Sequence, residues 1–233
     1  MGYGDTPYIK RGGQTDYKTI FHSEPHLALR KSVALCAGYG LIPAGHPIAK
    51  VTGDGGSKNK YIPYNPTTIS SAVTAAGQPG RAFLVQDATA SAIVYVTMDD
   101  SYKFVVGDQI YCADNNTKTS SATDMGVITA IDRTTYSHMA AITATNALAT
   151  DFTVAQSACI FLEAGADNSN TWSDAVGILE LAVDTGVGEH AKGGLGTIVL
   201  SHAMLYNGMC DNVDAAARTD LSASVDGQYL IIK

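Results

Sequence analysis

AIVYVTM at residues 92–98, YKFVVGDQIYCAD at 102–114, MGVITAIDRTTYSHMAAITAT at 125–145 and ACIFLEA at 158–164 are short runs rich in β-branched and aromatic residues. Polar turns such as DNNTKTSSATD at 114–124 separate them. Residues of this kind pack well on a pleated surface, and their repetition between turns predicts a compact β-barrel or sandwich. Composition agrees. Only 16% of residues are charged while 45% are hydrophobic, which disfavours an all-helical chain and leaves ample apolar surface for a core. With 233 residues, the chain lies between one large domain and two ordinary ones.

Upstream, residues 32–66 read SVALCAGYGLIPAGHPIAKVTGDGGSKNKYIPYNP, short apolar stretches broken by Gly and Pro. Residues 48–52 and 60–64 flank the turn-rich GDGGSKN and predict a β-hairpin. Residues 67–90 are rich in Thr, Ser and Ala, and ISSAVTAAG fits a short helix or a strand equally. Downstream, AVGILELAVDTG and GLGTIVLSHAMLYNGMC are strand-like, DNVDAAARTDLSA predicts a short helix that Asp211 can cap, and QYLIIK predicts a last strand.

Residues 1–31 differ from all of this. Gly2, Gly4, Gly12, Gly13, Pro7 and Pro25 stand among polar residues, with Tyr3, Tyr8, Ile9, Tyr17, Ile20 and Phe21 scattered without period. Such a segment buries too little apolar surface to offset its own conformational entropy, yet it holds more aromatic residues than a solubilising tail needs. It reads as an extended arm that orders on a partner, with those six aromatic and aliphatic residues as its candidate contacts. An extended peptide can add a strand to an exposed sheet edge.

Charge narrows the partners. Residues 1–60 carry eight Lys/Arg against four Asp/Glu, and the rest carry seven against eighteen, so an acidic body argues against nucleic acid. A mildly basic leading segment suits steering to an acidic protein surface. No run of 18 apolar residues occurs and the first residues lack the apolar stretch of a secretory signal, so neither membrane nor export is expected. Cys36, Cys112, Cys159 and Cys210 are widely spaced without a CxxC pair, which predicts buried thiols and no zinc or redox site.

Motifs with chemical meaning are weak. His22 and His26 have a metal-ligand spacing, but Pro25 interrupts the helix that would present them. GDGGS lacks the order of a phosphate-binding loop, and Gly186, Gly188, Gly193, Gly194 and Gly196 read as a flexible loop between strands. Ser201 and His202 are adjacent without a nucleophile elbow. Asp114, Asn115, Asn116 and Asp167, Asn168, Asn170 read as oxygen-rich turns without EF-hand spacing. No catalytic, cofactor or metal residue is expected, and an enzyme would need a pocket of convergent polar groups that nothing in the sequence demands.

IPAGHPIAKVT followed by KYIPYNP, then DAVGILELAVD, TIVLSHAMLYNGMC and the closing DGQYLIIK, in that order, resemble the head decoration protein family typified by phage lambda. In the family the two halves of this pattern are nearly continuous, whereas here about 100 residues separate Pro66 from Ala175. The resemblance implies a mainly β chain: a β-clip-type core over 32–70 and 170–233, an extended N-terminal arm over 1–31, and an inserted β-barrel or sandwich domain over 71–169 projecting outward. It also implies a non-enzymatic capsid cement made in the host cytoplasm and carried on the outer capsid surface of the virion. Its partners would be the phage major capsid protein and further copies of itself, as a trimer or a dimer. Tyr206 and Asn207 are candidate interface residues through the resemblance. Trp172, beside the junction of insert and core, either packs in the core or faces a neighbouring subunit. The alternative is a receptor- or glycan-binding head fibre in which the insert is the active part, favoured if aromatic residues are exposed on it.

Overall fold

The computed structural model describes residues 20–23, 28–65, 80–113, 122–164, 173–222 and 230–232. The first strands are β1 (Phe21–Ser23), β2 (Leu29–Leu35), β3 (Leu41–Ile42), β4 (Pro47–Lys50) and β5 (Tyr61–Pro63). Next come β6 (Arg81–Phe83), β7 (Ile93–Thr97), helix α1 (Met98–Ser101), β8 (Gln109–Ala113), β9 (Thr123–Asp132), β10 (Met139–Ala144) and β11 (Cys159–Leu162). The chain continues with β12 (Ala175–Leu179), β13 (Val183–Asp184), β14 (Gly194–Ser201), β15 (Ala203–Leu205), helix α2 (Ala215–Ser222) and β16 (Leu230–Ile232). The protein is mainly β.

Two sheets dominate. β12, β14, β2, β5 and β4 close into a five-stranded barrel, and the strands between residues 81 and 162 form a six-stranded sheet in the order β6-β11-β8-β9-β10-β7. That sheet curls until its two edges meet, through a bridge between Leu84 and Val96. The hairpin expected around GDGGSKN is present, with Lys50 opposite Tyr61 and Ile48 opposite Pro63. DRTTYSH makes the β9–β10 connection because the Asp132 carboxylate accepts from the Thr135 hydroxyl, from the Thr134 amide and hydroxyl and from the Thr135 amide, an Asx-type turn whose bonds, the Thr135 hydroxyl foremost, hold this carboxyl well below its ordinary pKa.

Burial follows the alternation of side chains. In β10, Ala140, Ile142 and Ala144 face the core, and in β7 Val94 and Val96 do. β12 and β14 instead have consecutive buried residues, because both of their faces are covered. Leu179 and Ile198 join the main core, while Ile178 and Val199 join a second cluster with Ala217 and Leu221, the two buried residues of α2.

The insertion is anchored at one residue. The buried Asn65 donates its amide to Ser173 Oγ at 2.8 Å and accepts from the Gly80 amide at 2.9 Å through Oδ1, so the strand before the insert, the segment entering it and the segment leaving it meet. Closing the ends in this way makes a long excursion cheap in loop entropy.

Four expectations change. The inserted sheet packs on the barrel, with side chains of both in one continuous core, so it does not stand apart. Residues 102–106, read as strand, are the turn after α1, whose start is capped by the Thr97 hydroxyl accepting from the Asp100 amide. Asp214, not Asp211, caps α2, with its Oδ1 accepting from the Ala217 amide at 2.8 Å, since it lies at the position from which a side chain reaches the first turn. Gly194 and Gly196 belong to β14, paired with Leu35 and Val33, where a Cβ would press on core side chains.

Asp108 ties the two sheets together. Its buried carboxylate accepts from the Ser57 amide and hydroxyl, both at 2.8 Å, and from the Val105 amide at 3.0 Å. Ser57 lies in the β4–β5 turn and Asp108 immediately precedes β8. The same turn holds Gly55 at φ +131°, where a Cβ would stand 2.3 Å from the Gly107 carbonyl oxygen. Removing one member of a buried charged network leaves its donors unpaired. Asp108→Ala is therefore expected to lower the unfolding free energy by about 3 kcal/mol. Urea denaturation checks this as a fall in midpoint with an unchanged slope.

Candidate partner-binding surface

Two sets of candidate contacts emerge from the sequence, and the structure brings part of each to one place. β1 pairs antiparallel with β15, with Phe21 opposite Leu205, and β15 pairs parallel with β16. The Tyr206 amide donates to the Ile20 carbonyl at 2.9 Å. Ile20 and Phe21, at the root of the leading segment, are thus beside Tyr206 and Asn207. Tyr206 is 43% exposed, and Asn207 opens a 3₁₀ turn, with Oδ1 accepting from the Arg218 guanidinium at 2.6 Å. Tyr3, Tyr8, Ile9, Tyr17 and Trp172 lie outside the described residues.

Ile20 and Phe21 require a correction. Ile20 is 1% exposed and packs with Leu205, Cys210 and Leu221, so it serves the protein's own core and is closed to a partner. Phe21 is half-buried beneath the Arg30 guanidinium, 5.1 Å from the ring centre, and Arg30 is itself held by both oxygens of Glu180 at 3.1 and 2.9 Å. The boundary of the arm at residue 31 moves for the same reason, since β1 and the start of β2 are strands of the fold. Residues 20–21 look unpatterned because their pairing partner lies some 180 residues along the chain.

Other motifs resolve into structure. All four cysteines are buried thiols outside any disulfide, and burial raises Cys36 to about 11 and Cys159 to about 12, which keeps them protonated and poorly nucleophilic. Ser201 is buried in β14, and His202 turns the chain towards β15 at φ +56°, so their 3.2 Å contact belongs to the bend. Among the described residues no group of three or more His, Cys, Asp or Glu is placed to hold a metal ion. Among them, too, no helix is long and apolar enough to cross a membrane.

The structure also holds a cavity that the sequence did not announce. Its volume is about 290 Å³, and Tyr39, Leu41, Ile42, Pro43, His46, Pro63, Asp211 and Asn212 line it. The turn Pro43–His46 builds one wall. Gly45 there has φ +85°, and a Cβ would fall 1.9 Å from the Met209 carbonyl oxygen, so only glycine lets this turn seat against residues 209–210. His46 is 3% exposed, and neither ring nitrogen reaches a hydrogen-bond partner at good geometry. Burial lowers its pKa to about 4, against smaller opposing effects of Asp211 and the Tyr64 backbone. The IPAGHP stretch shows that a histidine follows a glycine turn, but not that the ring ends in a closed wall.

Comparison with family models, with curated proteins and with solved structures gives no match.

Two outcomes follow. Ile20→Ala is expected to cost 2–5 kcal/mol of stability in chemical denaturation, as a buried aliphatic truncation does, whereas deletion of residues 1–18 should cost far less. His46 binds a proton more readily unfolded, near 6.5, than folded, near 4, so stability should be full above pH 6.5 and fall as pH drops towards 4, by up to about 3 kcal/mol. The slope between pH 6.5 and 4, compared with that of His46→Gln, isolates this histidine from the carboxylates.

Proposed function

We propose that this protein is a structural decoration protein of a tailed-phage head, acting by binding the outer surface of the expanded capsid and stabilising the lattice of the major capsid protein. The observation that supports the reading is where the family-like stretches lie. Those stretches are separated by about 100 residues of insert, yet they hydrogen-bond to one another directly. IPAGHPIAK and DAVGIL pair as β4 and β12, with Ile48 opposite Gly177. DAVGIL and TIVLS pair as β12 and β14, with Ile178 opposite Val199, and SHAML and YLIIK pair as β15 and β16. A shared order of motifs is thereby matched by a shared structural unit, with the insert carried as an addition.

Residues 1–19 are the proposed grip on the capsid, rooted by β1 in the protein's own sheet. A short rooted peptide gains avidity from many copies on a lattice, which suits a cement better than a single tight site. Self-association as a trimer or dimer, with Tyr206 and Asn207 near the contact, belongs to the same proposal.

A specific feature favours a second reading, a capsid-anchored receptor- or glycan-binding role for the insert. Tyr95 of β7 and Tyr136 of the β9–β10 turn, both half-exposed, meet edge to face with ring centres 5.7 Å apart, and Arg133 stacks over Tyr102 at 4.3 Å. Partly exposed aromatic rings on a rigid sheet are suited to stacking against a ligand.

The deciding experiment is sedimentation with expanded, undecorated heads of the phage that encodes the chain, using the full chain and a version lacking residues 1–18. That cut keeps Ile20 and β1, which a cut at residue 30 would destroy. The full chain is expected to co-sediment saturably, and the shortened one to bind at least tenfold more weakly, a loss of about 1.4 kcal/mol or more. Failure of the full chain to bind overturns the decoration reading. Equal binding by both removes the grip from the leading residues.

A further inference from the structure

We propose that Asn207 is a self-modification site, at which the Gly208 main-chain nitrogen displaces the side-chain amide as ammonia and leaves aspartate or isoaspartate, with Arg218 activating the amide. The proposal is independent of the capsid reading.

Three observations carry it. First, Asn207 is the one asparagine of the chain that glycine follows. Glycine leaves the attacking nitrogen unshielded and lets the backbone swing towards the side chain. Both residues are exposed, and a Cβ built on Gly208 would meet no atom within 4 Å, so nothing blocks that swing. The 3₁₀ turn around them is held by the Met209 amide donating to the Tyr206 carbonyl at 3.0 Å and the Cys210 amide donating to the Asn207 carbonyl at 3.1 Å. A single exposed turn of this kind opens locally without unfolding the protein.

Second, the electrophile is polarised. The Arg218 guanidinium donates to Asn207 Oδ1 at 2.6 Å, a charge-assisted bond reaching across from α2. It draws electron density from Cγ and faces the oxygen on which negative charge develops when Cγ becomes tetrahedral. The backbone behind that cation is fixed, since the Arg218 amide donates to the Asp214 carbonyl at 3.0 Å.

Third, a comparable step among the described residues lacks these features. Asp54 is also followed by glycine, but its carboxylate is paired with Lys58, and an ionised carboxylate is a poor electrophile. A Cβ on Gly55 would stand 2.3 Å from the Gly107 carbonyl oxygen, so the backbone there is wedged and cannot turn.

In the reaction, the Gly208 nitrogen gives its proton to hydroxide and bonds to Asn207 Cγ. The Cγ–Nδ2 bond then breaks, and Nδ2 takes a proton from water and leaves as ammonia, so that a cyclic succinimide remains. Water opens this ring. Addition at Cγ gives aspartate, whereas addition at the Asn207 main-chain carbonyl gives isoaspartate and lengthens the main chain there. Either product sets a carboxylate against Arg218, beside the half-exposed Tyr206.

The test is incubation of the full chain at physiological temperature in neutral and mildly alkaline buffer, with digestion at intervals and mass spectrometry of the peptide that holds Asn207. A steady gain of the mass that exchange of NH₂ for OH brings is expected, faster in the alkaline buffer, with chromatography resolving isoaspartate from aspartate. The Asp54 peptide should stay a single species. Gly208→Ala, which the open space accommodates, should slow the conversion at least about tenfold, a rise of about 1.4 kcal/mol in its barrier. Arg218→Gln should slow it severalfold, and Arg218→Lys, which keeps a cation there, should recover part of the loss. An unchanged mass at Asn207, equal conversion in Gly208→Ala, or conversion in Arg218→Gln as fast as in the native chain overturns the proposal.

Discussion

The structure depends on closing one barrel across a long excursion of the chain. β4 and β12 must pair although the whole six-stranded sheet lies between them in sequence, and the pairing holds because both ends of the excursion are tied at Asn65. An insertion whose ends already meet adds little to the entropy of closing the host fold. The insert does not rely on its tether alone: Asp108 and Ser57 join the two sheets through a buried carboxylate, and the apolar side chains of both merge into one core.

This continuity shapes what the molecule can present to a partner. With the interiors of both sheets committed to each other, a partner of the described residues meets their outer surface, which includes the half-exposed Tyr206 beside β15. Ile20 and β1 are built into the fold there, with Ile20 in the second hydrophobic cluster beside Leu205 and Leu221. The cavity beside Tyr39 and His46 lies between the Pro43–His46 turn and residues 211–212.

Much of this was legible in the sequence where short-range physics governs. The strand-like run MGVITAIDRTTYSHMAAITAT announced the β-structure of β9 and β10 without the turn that divides them, the glycine-rich GDGGSKN announced the β4–β5 turn, and AAARTDLS announced α2. What escaped was long-range. Ile20 reads as part of an unpatterned arm until β15 is placed beside it, Tyr102–Val106 reads as a strand until α1 and its Thr97 cap are seen, and Asp211 reads as the cap of α2 until the backbone puts Asp214 in that place.

By itself, the sequence determined the fold class, most of the strands, the helix and the buried state of the cysteines, because side-chain periodicity and turn propensity act over a few residues. Only the tertiary structure decided that the insert shares a core with its host, that Ile20 is interior, and that Tyr39, His46 and Asp211 line one cavity. Those facts depend on contacts between residues tens to hundreds of positions apart, which strand register and barrel closure set and no local pattern encodes.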